Sequence, residues 1–150
     1  MEQAITHLED QVCFALYTAS RAVTNLYRPM LDELGLTYPQ YLVMLVLWER
    51  KSITVKDLSA ALRLDTGTLS PLLKRMEANG LVRRRRRRDD ERSVEITLTE
   101  AGAALQGKAH SVPGRLARAL ELASEELVAL RETLRRVAAT ALDQPVRTEN

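Results

Sequence analysis

Apolar residues recur at positions 8, 12, 16, 19, 23, 26, 30 and 34, in steps of three and four, which predicts a long first amphipathic helix. Thr6 and Glu9 stand ahead of it at the spacing of a capping box. Pro29 falls inside the pattern, and its missing backbone donor predicts a kink or break near Tyr27 and Arg28. Gly35 is placed to stop the helix, "LGLTYP" reads as a loop, and Pro39 reads as the first position of a second helix through "QYLVMLVLWER". That second helix is apolar almost all round, so it belongs in the middle of the core.

Two short amphipathic segments follow with little between them. The first spans about Val55 to Leu62, with Val55, Leu58 and Leu62 inward; "RLD" is the turn. Asp65 or Thr66 caps the second, Leu69, Leu72, Leu73 and Met76 face the core, and Gly80 closes it. This is a helix-turn-helix whose outer face offers Thr66, Thr68, Ser70, Lys74 and Arg75, all hydrogen-bond donors. Next come two β-compatible runs, Leu81 to Arg87 and Ser93 to Leu98, around a tip of Asp and Arg: a hairpin in the position of a wing. Thr99 caps a further helix that Pro113 and Gly114 perturb, and Ser124 caps a last one with a stripe of Leu127, Leu130, Leu134, Val137, Ala138 and Ala141. The apolar stripes at the two ends of the chain are more than a domain this small buries alone, which predicts that they pair across a two-fold dimer. The expected fold class is mainly α with a small β-hairpin wing, a winged helix-turn-helix.

Composition narrows the function. At 150 residues one domain is expected, and no uncharged apolar run approaches the ~20 residues a membrane span needs. The first ten residues are acidic and carry no export signal, so the expected location is cytoplasmic. The net charge of +2 hides an asymmetry: "RRRRRRDDER", residues 83 to 92, holds seven Arg against three acids, which leaves the remainder of the chain slightly acidic. Cation density concentrated on a wing suits a polyanion; Arg at the tip can enter a narrow minor groove, and Arg along the strand can pair with phosphates. The one cysteine, Cys13, cannot form an internal disulfide. His7 and His110 stand in no base or metal constellation, so a cysteine peroxidase using Cys13 as nucleophile is disfavoured, and neither metal nor cofactor is expected.

Over nearly its whole length the chain resembles the MarR family of winged helix-turn-helix regulators, and within it the organic-hydroperoxide sensors, OhrR. The segments that carry the resemblance are "VCFALYTASR", "YRPMLDELGLTYPQYLVMLVLWE", "LDTGTLSPLLKRMEANGLV", "DERSVEITLTEAG" and the interrupting "VPG". It implies residues 1–36 and 99–143 as dimerisation helices, 37–98 as the DNA-binding part and 144–150 as a polar tail. It also implies Cys13 as the redox-sensing residue, with Tyr27 and Tyr38 of the other subunit hydrogen-bonding its thiolate and Tyr17 close by.

The residues permit that arrangement. Cys13 lies about two turns past the expected cap, where the helix dipole has faded, so hydroxyl donors would have to stabilise the anion. Tyr17 at i+4 shares its face, but Tyr27 is fourteen residues on, about 21 Å along a continuous helix, and only a partner chain can supply it. The resemblance implies a repressor of a peroxide-resistance gene. An organic hydroperoxide, its tail against residues such as Phe14 and Leu16, oxidises Cys13 to sulfenic acid, a small cellular thiol forms a mixed disulfide, and a homodimer leaves its palindromic double-stranded operator. Thr66 to Arg75 would be the recognition helix, with Thr68, Ser70 and Lys74 as contacts, Arg86 on the wing strand, Arg92 in the minor groove and Asp90 positioning an arginine such as Arg75. The alternative is a MarR-type regulator released by a small aromatic or phenolic ligand, with Cys13 structural.

Overall fold

The first turn of the chain is not the start of the long helix. The structure, a computed structural model, describes residues 7–144, so the capping box expected at Thr6 and nearly all of the polar tail lie outside the described residues. Leu8–Asp10 form a single 3-10 turn, Gln11 is extended at φ −84° and ψ 118°, and helix α1 runs over Val12–Asp32. It passes through Pro29 without the expected break. Proline removes one backbone hydrogen bond, and burial of Met30 and Leu31 in the core holds the last turn in its place.

Helix α2, Tyr38–Arg50, begins one residue earlier than expected because Thr37 is its cap. Thr37 Oγ1 accepts from the Gln40 N–H at 3.4 Å, and Gln40 Oε1 accepts from the Thr37 N–H at 3.0 Å, which leaves Pro39 in the second helical position. Tyr41, Val43, Met44 and Leu47 are buried, as a helix apolar on nearly every side requires. Strand β1, Ser52–Thr54, is an element the periodicity did not predict. Helix α3, Val55–Leu62, follows, then a turn whose Arg63 is left-handed at φ 54°, then helix α4, Thr66–Ala78. Gly80, at φ 75°, closes α4 as expected: its N–H donates to Glu77 O at 2.9 Å, and the Leu81 N–H reaches Met76 O at 3.0 Å.

Strands β2, Val82–Arg86, and β3, Val94–Leu98, form the hairpin, and β1 adds antiparallel to β3 to give the order β1-β3-β2. In the register of β2 and β3, Val82, Arg84 and Arg86 oppose Leu98, Ile96 and Val94, so these six share one face of the sheet. Val82 and Ile96 are fully buried there beside Leu58, Leu69, Leu73 and Met76 of the helix-turn-helix. Each such side chain contributes roughly 1.5–3 kcal/mol of burial, which fixes α4 and the hairpin as one body.

Helix α5, Glu100–Ala109, is capped by Thr99, whose Oγ1 accepts from the Gly102 N–H at 3.0 Å. The chain divides into two compact units, Met1–Val112 and Pro113–Asn150. In the second, Pro113 and Gly114 lie in the first turn of α6, Val112–Ala119, and so open a helix where an interruption was expected. Helix α7, Ser124–Asp143, is capped at Ala123, one residue before the expected Ser124; the Ala123 N–H donates to Glu126 Oε2 at 2.8 Å. No residue of α7 is buried, and Leu130, Leu134 and Val137 of its predicted stripe are exposed. On α1, in the first unit, Val12, Phe14, Leu16 and Leu26 are exposed too.

Gly102 sits where a Cβ would run into the Leu81 carbonyl and come within 2.8 Å of Leu98 Cδ1. We therefore expect Gly102→Ala to lower the unfolding free energy by about 1–3 kcal/mol, by overpacking against backbone that has no room to yield. Gly107, on the same helix with open space around it, is the control: Gly107→Ala should leave stability unchanged or raise it by about 0.5–1 kcal/mol. Urea unfolding of the three proteins checks the contrast, and equal effects at both glycines would refute it.

Candidate functional site

The outer face of α4 is built from its cap outward. Asp65 is extended, and its Oδ1 accepts from the Thr68 N–H at 2.6 Å, which fixes the helix start. Thr66, Thr68, Ser70, Lys74 and Arg75 are all exposed, as expected, while Leu69, Leu72, Leu73 and Met76 hold the opposite face in the core. The Thr68 backbone donor above all, then its hydroxyl, keeps the Asp65 carboxyl below the usual carboxylate range. Asp65 is thus a charged acceptor at neutral pH, with its charge directed at the helix start.

Beside this face lies a cleft of about 220 Å³ that no single segment of sequence announces. Lys56 from α3, Thr66 and Ser70 from α4, Arg84 from β2 and Arg92 from the return of the wing line it. Among the described residues no acid lines it. With Ser93 beside Arg92, three cations and three hydroxyls from four parts of the chain thus face one hollow, a donor set suited to the oxygens of a phosphate group. Lys56 and Arg84 were not singled out from the sequence. Lys56 carries no motif, and Arg84 is told apart from its five neighbours only by strand alternation, which turns it toward α4. Its backbone N–H also donates to Glu77 Oε2 at 2.8 Å, tying the edge strand to the recognition helix.

The wing tip is shaped by its own acids. Asp89 forms a two-point pair with Arg87, at 3.0 and 2.7 Å. Asp90 Oδ1 accepts from the Arg92 N–H at 3.0 Å, and its carbonyl accepts from the Ser93 N–H at 3.0 Å. The structure thus corrects the expectation of an Asp90–Arg75 pair. Asp90 is used by the tight turn two residues from it, and that short-range contact holds it away from α4. Arg86 and Arg92 are both exposed.

Cys13 is exposed and occupies the second position of α1. Because Gln11 is extended, the helix restarts there, so Cys13 lies in the first turn and not two turns in, among backbone N–H groups that have no helical acceptor. Tyr17 is exposed one turn on, and its hydroxyl accepts from Arg21 Nη1 at 3.5 Å, with the guanidinium 5.3 Å from the ring. Tyr27 and Tyr38 are brought together, ring centroids 5.0 Å apart, and Tyr27 also packs on Tyr41 at 5.9 Å, which in turn packs edge-on to Trp48 at 6.3 Å. Burial, then the neighbouring Tyr38 and Tyr41, pushes the Tyr27 phenol up to about 12. Burial raises Tyr41 as well. The chain therefore presents its thiol near the start of α1 and its phenol pair at the junction of α1 and α2, separately.

Comparison with known proteins bears on this arrangement. Residues 25–107 match the family described as transcriptional regulator SarA/Rot. An organic hydroperoxide resistance transcriptional regulator of Bacillus subtilis (strain 168) is 49% identical over 136 residues, covering 89% of this chain and 92% of its own. Reduced AbfR bound to DNA has a TM-score of 0.74 at 34% identity, covering 91% of this chain and 96% of that one. AbsC, a MarR family transcriptional regulator from Streptomyces coelicolor, has a TM-score of 0.80 at 26% identity, covering 95% and 100%. Fold and relatives together define a winged-helix, DNA-binding transcription regulator. The chain belongs to the MarR family, and its relatives are regulators of transcription.

Two titrations test these local readings. The Asp65 carboxyl is depressed in the folded protein, so the stability it lends α4 is complete above its unfolded value and is lost as pH falls through the folded one. Amide chemical shifts of α4 should show fraying in acid for the wild type, and at all pH values for Asp65→Ala. Tyr27 has the opposite sign: its phenol favours the folded state below 10, and that contribution disappears as pH rises through about 12. Ultraviolet titration should find a phenol near 12 that Tyr27→Phe lacks; an identical curve for the two proteins would contradict the burial of Tyr27.

Proposed function

We propose that this chain is a cytoplasmic, homodimeric repressor that leaves its operator when an organic hydroperoxide oxidises Cys13. The observation that carries the reading is the placement of Cys13: an exposed thiol in the first turn of α1, flanked by exposed Val12, Phe14 and Leu16. A cysteine filling a core would be buried, whereas a reactive one needs access and groups that favour the thiolate. Unpartnered apolar residues on α1 and on α7 support dimerisation through the terminal helices. Within a dimer, Tyr27 and Tyr38 of one chain would meet Cys13 of the other, since α1 keeps the two some 21 Å apart within a chain. Supporting the redox reading is the 49% identity to a regulator of organic hydroperoxide resistance.

The chemistry is balanced. The thiolate sulfur attacks the terminal oxygen of the hydroperoxide, the O–O bond breaks, the sulfur keeps the hydroxyl as a sulfenic acid, and the alkoxide leaves and takes a proton from water to become the alcohol. A small thiol then condenses with the sulfenic acid, forming a mixed disulfide and releasing water. An adduct of that size beside the Tyr27–Tyr38 pair would force the pair apart and change the spacing of the two recognition helices, and DNA would be released. On the DNA, Thr66, Thr68, Ser70, Lys74 and Arg75 would read the major groove, while Lys56, Arg84, Arg86 and Arg92 would hold phosphates and the minor groove, with Asp90 shaping the tip.

A second reading has one observation in its favour. A cleft of about 290 Å³ between α1 and α2 is lined by Thr24, Arg28, Leu31, Asp32 and Tyr38, a cation, a carboxylate and a phenol over an apolar floor that suit a small phenolic ligand. One experiment separates the two. A duplex selected by the protein from a random pool is titrated with wild type and Cys13→Ser, before and after cumene hydroperoxide and with or without a small thiol. We expect the oxidant to weaken wild-type binding at least tenfold and to leave Cys13→Ser unchanged. Release of Cys13→Ser by the same treatment would sink the redox reading, and release of both by salicylate without oxidant would favour the cleft.

A further inference from the structure

The six consecutive arginines do not share one role, because β2 turns them alternately to opposite faces of the sheet. Arg84 and Arg86 lie on the face of Val82 and Ile96, toward α4. Arg83 and Arg85 lie on the other, opposite Thr97 and Glu95, away from the recognition helix. Across that outer face Glu95, in register with Arg85, accepts a 2.5 Å hydrogen bond from Ser52 Oγ on β1 and, among the described residues, forms no ion pair with an arginine of the strand. Among the described residues Arg87 alone of Arg83–Arg88 forms an ion pair, with Asp89. Arg83 and Arg85 line a shallow hollow that Arg86, Arg87 and Arg88 reach from the end of the strand and that also holds Glu95 and Glu100, so the cations outnumber the carboxylates around it.

We propose that this outer face, centred on Arg83 and Arg85, is a second phosphate-binding surface, and that the wing grips both sugar-phosphate backbones bordering the groove it enters. The inference rests on the reading of α4 and the wing as the DNA-contacting elements. A two-stranded ribbon entering a groove tip-first has one backbone beside each of its faces, and a wing with cations on only one face would leave the second backbone untouched. Arginines placed merely to discourage edge-to-edge pairing of β2 would do so by charge on either face and would not need a phosphate. The occupant is duplex DNA, and the contact carries no sequence information.

The test is the salt dependence of binding. Each phosphate contact contributes about 0.9 to the slope of log affinity against log salt concentration. For the selected duplex, bound by a dimer with two wings, the Arg83→Gln/Arg85→Gln double variant loses four such contacts and should have a slope shallower than wild type by about 3.6. Its affinity for a scrambled duplex should fall by the same factor. Arg83→Lys/Arg85→Lys, which keeps the charges, should restore the slope. A slope equal to wild type in the glutamine variant, with its melting temperature unchanged, overturns the proposal. Lys56→Gln/Arg92→Gln separates the two levels of argument: a flatter slope there alone defeats the outer face and spares the cleft, whereas no change in either pair defeats the DNA-contact reading itself.

Discussion

The close contact between Gly102 and Leu81 is the constraint on which the placement of α4 and the wing depends. Helix α5 can lie against the root of the wing only because residue 102 has no side chain, and the approach is secured from both sides. The Thr99 hydroxyl donates to the Gly80 and Leu81 carbonyls at 2.6 and 3.0 Å, and the Trp48 indole donates to the Gly102 carbonyl at 2.9 Å. Gly80 and Leu81 are also the residues that end α4. One joint therefore fixes where α4 stops, where β2 begins and how α2 is held to α5. Few of its parts are exposed, and none carries a charge.

That joint explains how chemistry dispersed along the sequence becomes local. Lys56, Thr66, Ser70, Arg84 and Arg92 come from four parts of the chain, and their convergence follows from the angle between α4 and the hairpin. The Glu77 carboxylate reinforces the angle by capturing the Arg84 N–H, an edge-strand donor that would otherwise be open to another chain. The wing thus protects its own edge with the same residue that turns its side chain toward the cleft.

Elements with strong periodicity and local punctuation were legible in the sequence. Helix α3 has its expected ends, and both hairpin strands lie within one residue of expectation at each end, because Gly80 and Thr99 bracket them with chemistry that acts over a few residues. What escaped is what period cannot encode. The three- and four-residue steps of apolar side chains run straight across Gln11, whose extended backbone is invisible in the pattern, and so the local setting of Cys13 was misjudged. Strand β1 is three residues long, too short to show alternation. The Asp90 partner was misassigned because a tight turn competes with any distant cation for the same carboxylate. Which side chains share the cleft is set by tertiary placement and has no sequence signal beyond the alternation within β2.

The aromatic packing adds a structural reason for placing a sensor at Tyr27 and Tyr38. These rings are the outer members of a contiguous stack in which Tyr27 touches Tyr41 and Tyr41 touches Trp48, whose indole N–H ends on the Gly102 carbonyl. Packed rings have few alternative arrangements, so on the proposed reading a displacement of the outer pair would pass to Trp48 or to α2. Either one would load the hydrogen bond at the joint where α4 ends and the wing begins. The raised phenol of Tyr27 reflects its burial among the rings of Tyr38 and Tyr41, where a phenolate would be poorly solvated. On the proposed reading, the sulfur that such a phenol would stabilise lies on the partner chain, so the stack would connect the thiol chemistry of one protomer to the DNA-reading face of the other.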